Sequence, residues 1–328
     1  MKKNIYCSIL MPAFWVFASC LLFLSCDDNF NPYGTPRQEY VLNCILGDDK
    51  SSQNAYLTKT YFVENDKLNS RIDDVAITGA DVRISFLDSV KVLKQGLVAR
   101  VDSSRFGSKT VYYLADKFTP RPGIEYRIDV LLPNNKRMSA STKTPSDNLL
   151  YYNKGDYLVP PVDREYVVCK WDNNPDYYIA PNYVFYYFIH SGGETTVHEK
   201  RVPVNYIQKE GKSIPVFAEP THNSGITINM STFDRAMREI SEGDADKSKY
   251  EILGFVLEFR IFDKNLTNYY ASVNEVTENF AVNLDEGDFT NITGGRGVFG
   301  SYITKYFIMK FSHTYIRSFG YEPGLTEN

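Results

Sequence analysis

Between Tyr40 and Thr144 apolar and polar residues alternate with a period of two. Ala80, Val82, Ile84 and Phe86 fall on one face of the segment Ala80–Phe86, and Tyr126, Ile128, Val130 and Leu132 do the same in the next clear run. Such alternation describes strands with one face packed and one wet, the condition of an antiparallel sandwich. The pattern predicts seven strands: Tyr40–Leu46, Ala55–Val63, Ala80–Phe86, Leu97–Val101, Val111–Ala115, Glu125–Leu132 and Arg137–Thr144. Pro120, Pro122-Gly123 and Pro133-Asn134-Asn135 punctuate them. Seven short strands in about a hundred residues fit an immunoglobulin- or fibronectin-like β-sandwich over 38–146.

The remainder, 147–328, is also strand-rich, with expected strands Tyr166–Trp171, Tyr183–His190, Val202–Ile207, Ile214–Phe217, Ile226–Met230, Ile252–Phe262 and Tyr302–Phe311. Two stretches change period. Phe233, Ala236, Met237 and Ile240 recur at helical spacing within Thr232–Ile240, with Ser231 as the expected cap. Leu266, Tyr269, Tyr270 and Val273 do so within Asn265–Glu278, preceded by Asp263. Each reads as a short helix docked on a sheet. The fold class expected is therefore all-β, with two β-sandwich-like domains, the second carrying one or two short helices. A chain of 328 residues is long enough to split into two cores, and 15% aromatic residues favour strands.

The N-terminus has another pattern. Lys2 and Lys3 precede an almost wholly apolar run, Ile5 to Leu24, which stops at Ser25-Cys26 and turns acidic at Asp27-Asp28. This is the layout of a lipoprotein signal, 1–25, cleaved before a cysteine that takes acyl chains such as palmitate. Cys26 is the expected lipidation site: cleavage before Cys20 would strand Leu21–Leu24 on the mature protein. Phe23 is bulkier than the usual residue of such a motif, and an uncleaved membrane anchor is the alternative, since about 20 apolar residues can span a bilayer. Residues 26–37, with Pro32, Gly34 and Pro36, read as a tether. The formal net charge of −4 and the lack of a basic run argue against a nucleic-acid partner.

Motifs that name a reaction are missing. Gly295-Arg296-Gly297-Val298-Phe299-Gly300 spells a dinucleotide fingerprint, but the segment after it is strand-like, so its glycines are expected to serve backbone geometry. The histidines, His190, His198, His222 and His313, are scattered, and neither a metal nor a cofactor is expected. The loop Glu242–Ser248 lacks the glycine and glutamate of a calcium loop. Cys44 and Cys169 sit in apolar strands and read as buried thiols, a disulfide between them being the alternative. An enzyme is not expected. The one stretch suited to ligand binding is the aromatic tract Trp171–Tyr183, where Trp171, Tyr177 and Tyr178 could stack and hydrogen-bond a sugar or peptide. The competing reading places Trp171 inward, at the end of a strand.

The run Asn291-Ile292-Thr293-Gly294-Gly295-Arg296-Gly297-Val298-Phe299 resembles the glycine signature near the end of a Bacteroidota outer-membrane lipoprotein family known as domain of unknown function 4249. The first strand (Tyr40–Leu46), the Gly79–Ile84 strand, the pair Pro122–Arg127 and Ser139–Pro145, and the helix around Tyr269-Tyr270 fit the same family. Arg296 stands where an apolar or small residue is usual. The resemblance implies a protein attached to the outer membrane by its lipid, at the cell surface given the acidic pair after Cys26. It also implies a neighbourhood with TonB-dependent transporters. The function expected is that of an accessory or ligand-capture partner of such a transporter; the alternative is a structural or adhesive surface module.

Overall fold

A computed structural model describes residues 38–60, 75–100, 108–146, 158–159, 165–172, 174, 177–278 and 289–324. The expected signal and tether, with Cys26, lie outside the described residues. Glu39–Asn328 forms one compact unit.

The chain opens with seven strands: β1 (Tyr40–Gly47), β2 (Ser52–Lys59), β3 (Asp81–Phe86), β4 (Ser89–Ala99), β5 (Lys109–Asp116), β6 (Glu125–Leu131) and β7 (Arg137–Lys143). They lie in the order β1-β2-β5-β4-β3-β6-β7. β4 belongs to two layers. Its first half pairs with β3, register Val82↔Leu93, and its second half with β5, register Leu97↔Val111. The result is a sandwich with β1, β2, β5 on one side, β3, β6, β7 on the other and β4 joining them. In immunoglobulin lettering these are A-B-E-D and C-F-G. Leu42, Cys44, Leu57, Val111 and Tyr113 from one layer meet Val82, Ile84, Tyr126, Ile128 and Met138 from the other in a single core. Tyr126, at the start of β6, is buried, and its hydroxyl accepts from the backbone N–H of Arg121, five residues upstream, at 2.7 Å. That arrangement is the tyrosine corner of such domains.

Sequence reasoning expects a separate strand at Leu97–Val101. The structure instead runs one 11-residue strand through Ser89–Ala99. The two-residue turn Leu87-Asp88 already reverses the chain, with Phe86 opposite Ser89. The outward Val90 and Val92 stay exposed, which hides the strand from a reading that looks for a buried face.

The second part contains β8 (Leu158–Val159), β9 (Tyr166–Lys170), β10 (Ile179–Ser191), β11 (Glu194–Val202), the hairpin β12 (Asn205–Lys209) and β13 (Lys212–Val216), β14 (Gly225–Asn229), helix α1 (Met230–Glu239), β15 (Tyr250–Phe262), helix α2 (Lys264–Glu278), β16 (Arg296–Phe311), helix α3 (His313–Ser318) and β17 (Glu322–Pro323). β11, β10, β15 and β16 make a sheet whose inner face is covered by the β9–β14 pair and by α1. Helix α1 faces the sheet with Phe233, Ala236 and Met237. Phe233 meets the rings of Phe185 at 4.9 Å and Phe255 at 5.2 Å, and burial of a side chain of that size is worth about 1.5–3 kcal/mol. The expected cap Ser231 lies inside the helix. The capping position is Asn229, without a side-chain bond, because β14 runs straight into the helix. Cys169 belongs to this second core and Cys44 to the first. The two are not joined in a disulfide, and burial pushes the Cys44 thiol up to about 12.

β16 joins the two parts. Arg296–Tyr302 pairs in parallel with β1, and Tyr302–Met309 pairs antiparallel with β15. Just before it, Thr293 exchanges backbone hydrogen bonds with Ser139 of β7, at 2.8 and 3.0 Å, so the edge strand of the sandwich is bridged at that point. The glycines make this seam. A Cβ on Gly294 would strike the carbonyl oxygen of Arg137, and one on Gly297 that of Leu42; their φ values are +82° and +109°. Arg296 points outward and pairs with Glu39, which accounts for a charged residue between glycines.

Gly297→Ala combines a forbidden φ with a backbone collision and is expected to lower unfolding stability by about 3 kcal/mol. Gly243→Ala, at φ +79° but in open space, should cost only about 1 kcal/mol. Urea midpoints of the two variants check this; equal losses would mean that backbone strain alone, rather than the seam, sets the cost.

Candidate functional site

Asp263 follows the last residue of β15 and precedes α2, and the residue is only 2% exposed. One oxygen caps the helix by accepting from Leu266 N at 2.8 Å, and the other accepts from the hydroxyl of Thr142 on β7. Its own N–H donates to Ser301 O of β16 at 2.8 Å. Thr142 and Ser301 are themselves buried, their hydroxyl oxygens 3.4 Å apart. A buried carboxylate must be well hydrogen-bonded to be tolerated. This one ties together β7, β16 and α2, where the two cores meet. Burial raises its pKa above the ordinary 3.8, against the opposing effect of the bonds from Thr142, Leu266 and Ser301.

A cleft of about 410 Å³ opens beside this group, between the end of β7 and the start of α2. Thr142, Thr144 and Asp263 form one part of its lining, and Lys143, Lys264 and Glu125 bring charges of both signs. Asn265 is held in place by donating to Ser141 O at 2.9 Å. Tyr177 supplies an aromatic element of the lining. The volume falls within the range of small-molecule sites, and hydroxyls, a carboxamide and a phenol ring are groups suited to a neutral polar ligand.

The aromatic tract divides at this point. Trp171 is 3% exposed and lies edge-to-face on Phe259 at 5.0 Å, a residue of the second core. Its indole therefore faces inward. Tyr177 and Tyr178 are half-buried; the rest of the tract's loop, Asn173, Pro175 and Asp176, lies outside the described residues. Tyr177 packs against the second core while lining the cleft. Tyr178 lies 3.7 Å from the ring of His222 and 6.1 Å from that of Tyr270, and its N–H donates to Thr267 of α2 at 3.1 Å. Of the three aromatic residues expected to bind, Tyr177 lines the cleft, Tyr178 packs on His222 and Tyr270, and Trp171 faces the core. Residue spacing gave no means of pairing Tyr177 with Thr142 or Asn265, which are far away in the chain. Asp263, marked in the sequence only as a residue before a helix, was the one visible signal.

Other sequence candidates resolve into structure. His190 contacts Glu251 at 2.6 Å and Thr195 at 2.9 Å, whereas His198 bonds Thr196, so the hairpin does not unite them. In the acidic loop, Asp244 is taken up by Lys249 at 2.5 Å and by the Tyr250 hydroxyl at 2.9 Å. Among the described residues there is no cluster of three His, Cys, Asp or Glu side chains able to hold a metal, and no helix long and apolar enough to cross a membrane.

No family model matches the chain. Nor does any curated protein. A solved structure with some likeness is the C-terminal globular domain of an oligosaccharyltransferase from Pyrococcus abyssi, at 10% identity and a TM-score of 0.18; the match covers 69% of this chain and 45% of that one. The chain thus spans less than half of that structure.

The raised pKa of Asp263 fixes the sign of its pH dependence. The folded protein prefers the protonated acid, so this group's contribution is greatest below 3.8 and is lost as pH rises from there through the folded value. Asp263→Asn keeps an acceptor for Leu266 N and is expected to flatten that decline. Urea midpoints of wild type and variant between pH 4 and pH 7 decide the matter, and parallel curves would remove Asp263 as the cause.

Proposed function

We propose that this protein is an outer-membrane lipoprotein exposed at the cell surface, serving a TonB-dependent transporter as an accessory that captures a ligand in the Tyr177–Asp263 cleft. The observation that carries the location is the switch from apolar to acidic at Ser25-Cys26-Asp27. The resemblance of the glycine signature and its companion strands to the lipoprotein family of domain of unknown function 4249 supports the partner. For capture, the support is a cleft with a phenol ring, hydroxyls and an ordered carboxamide on a sandwich scaffold. Rigid aromatic groups contribute binding area at low ordering cost. The Thr142 hydroxyl is taken up by the Asp263 carboxylate that caps α2, and we read the cleft as a binding surface.

Two measurements test this. Cys26→Ala should abolish incorporation of a tagged fatty acid; label that persists, or that moves to Cys20, overturns the anchor. Replacing Tyr177 and Tyr178 together by Ala should weaken copurification with the adjacent transporter, or ligand-dependent growth, by about 1–2 kcal/mol equivalent. The Phe replacements, which preserve packing, control for stability. A double Ala variant that is folded and binds as wild type would place the interacting surface elsewhere.

A further inference from the structure

Strand register fixes which residues share an end of the first sandwich. Tyr40 of β1 stands opposite Lys59 of β2, and Ala99 of β4 opposite Lys109 of β5. The β6–β7 turn comes to the same place, because Asn134 Nδ2 donates to the Tyr40 hydroxyl at 2.7 Å and Lys136 lies over the Tyr40 ring at 5.3 Å. This end therefore gathers Lys59, Arg100, Lys109, Lys136 and Arg137. All but the half-buried Arg100 are exposed. Among the described residues the acids there, Glu39, Asp81 and Asp129, are engaged by Arg296, Arg83 and Arg127. The opposite end instead mixes Asp48, Asp49, Asp88 and Asp116 with Lys50 and Lys117. In the sequence, the segments 61–74 and 101–107, outside the described residues, hold Glu64, Asp66, Asp73, Asp74 and Asp102 against Lys67, Arg71 and Arg105, an acidic excess smaller than the basic one named above.

Two more features mark the same end. Leu97 is 64% exposed and Val98 39% exposed, on β4 just before Ala99, which stands opposite Lys109 at this end. The chain also enters the fold here, at Glu39, only thirteen residues after Cys26, a reach of at most roughly 45 Å.

We infer that this basic end, with the exposed Leu97 and Val98 beside it on the two faces of β4, seats against the anionic headgroups of the membrane to which the protein is anchored. Exposed lysines and arginines near an anionic surface gain free energy, and a few apolar side chains among them enter the headgroup layer. The second contact gives a single acylated cysteine a partner and fixes the orientation of the sandwich. The tether argument rests on the lipoprotein reading, whereas the charge and apolar pattern stands without it.

The experiment uses the mature chain from residue 26 with Cys26→Ser, so that no acyl chain contributes. Sedimentation with vesicles of phosphatidylcholine containing phosphatidylglycerol should pull the protein down at low salt, with little binding to phosphatidylcholine alone. Lys59→Glu, Lys109→Glu, Lys136→Glu and Arg137→Glu together should weaken binding at least about 30-fold, and Leu97→Asp should weaken it independently. Lys50→Glu with Lys117→Glu, at the other end, should leave it unchanged. No binding to anionic vesicles, or equal loss in the control pair, overturns the proposal; so does binding to both vesicle types alike. Because Cys26 is blocked, failure here is separable from failure of acylation, which is read by fatty-acid labelling of the natural protein.

Discussion

The structure depends on one close approach of backbones. β16 can lie in parallel against β1, and the segment before it against β7, only because Gly294, Gly295 and Gly297 have no side chains; a Cβ at each would meet backbone oxygens of Arg137, Tyr40 and Leu42. With the seam formed, Ile292 and Phe299 join the first core, and Ile303, Met309 and Phe311, further along the same strand, join the second. A strand shared in this way couples two cores that sequence order would keep apart. Loosening either end exposes apolar surface at both.

The buried carboxylate is a consequence of that geometry. A Cβ at Gly300 would lie only 3.0 Å from that of Leu266, so the start of α2 packs closely on β16 and the Leu266 N–H is shut away from water. A short acid is the residue that can satisfy it there. Asp263 does so at the expense of desolvation, which Thr142 and the backbone contacts with Ser301 partly offset. The cleft beside it is bounded by elements already fixed for packing, which is a condition for a site to be preorganised.

How much of the fold and the cleft was legible in the sequence depended on the range of the interactions. Alternation in β3 and β6 and helical spacing in α1 report burial within a few residues, and the seven-strand sandwich is read from them. The glycine run could be read as a matter of backbone geometry, since a strand rather than a helix comes after it, but its partners Arg137 and Leu42 lie more than 150 residues away. No local pattern records such a pairing. The aromatic tract shows the same limit. Trp171 and Tyr177 look alike as sequence, yet one fills a core against Phe259 and the other lines a cleft with residues of β7 and α2. Long, outward-facing strands such as β4 and β11 escaped for a different reason: without a buried face, alternation carries no signal.

Register also relates the cleft to the basic end. The cleft is lined by Glu125, the first residue of β6, and by Lys143, the last of β7, whereas the basic residues stand where β6 ends and β7 begins. The two features therefore lie at opposite ends of the same sandwich, separated by the length of those strands, seven residues each, or roughly 20–25 Å at the usual rise. If the basic end is held at a membrane, the cleft opens away from it. A ligand captured there would be met at a distance from the bilayer that the rigid sandwich sets, rather than the length of the tether. The second core, against which Tyr177 packs, lies on the cleft side, so that the wall it builds is also the one turned toward the medium.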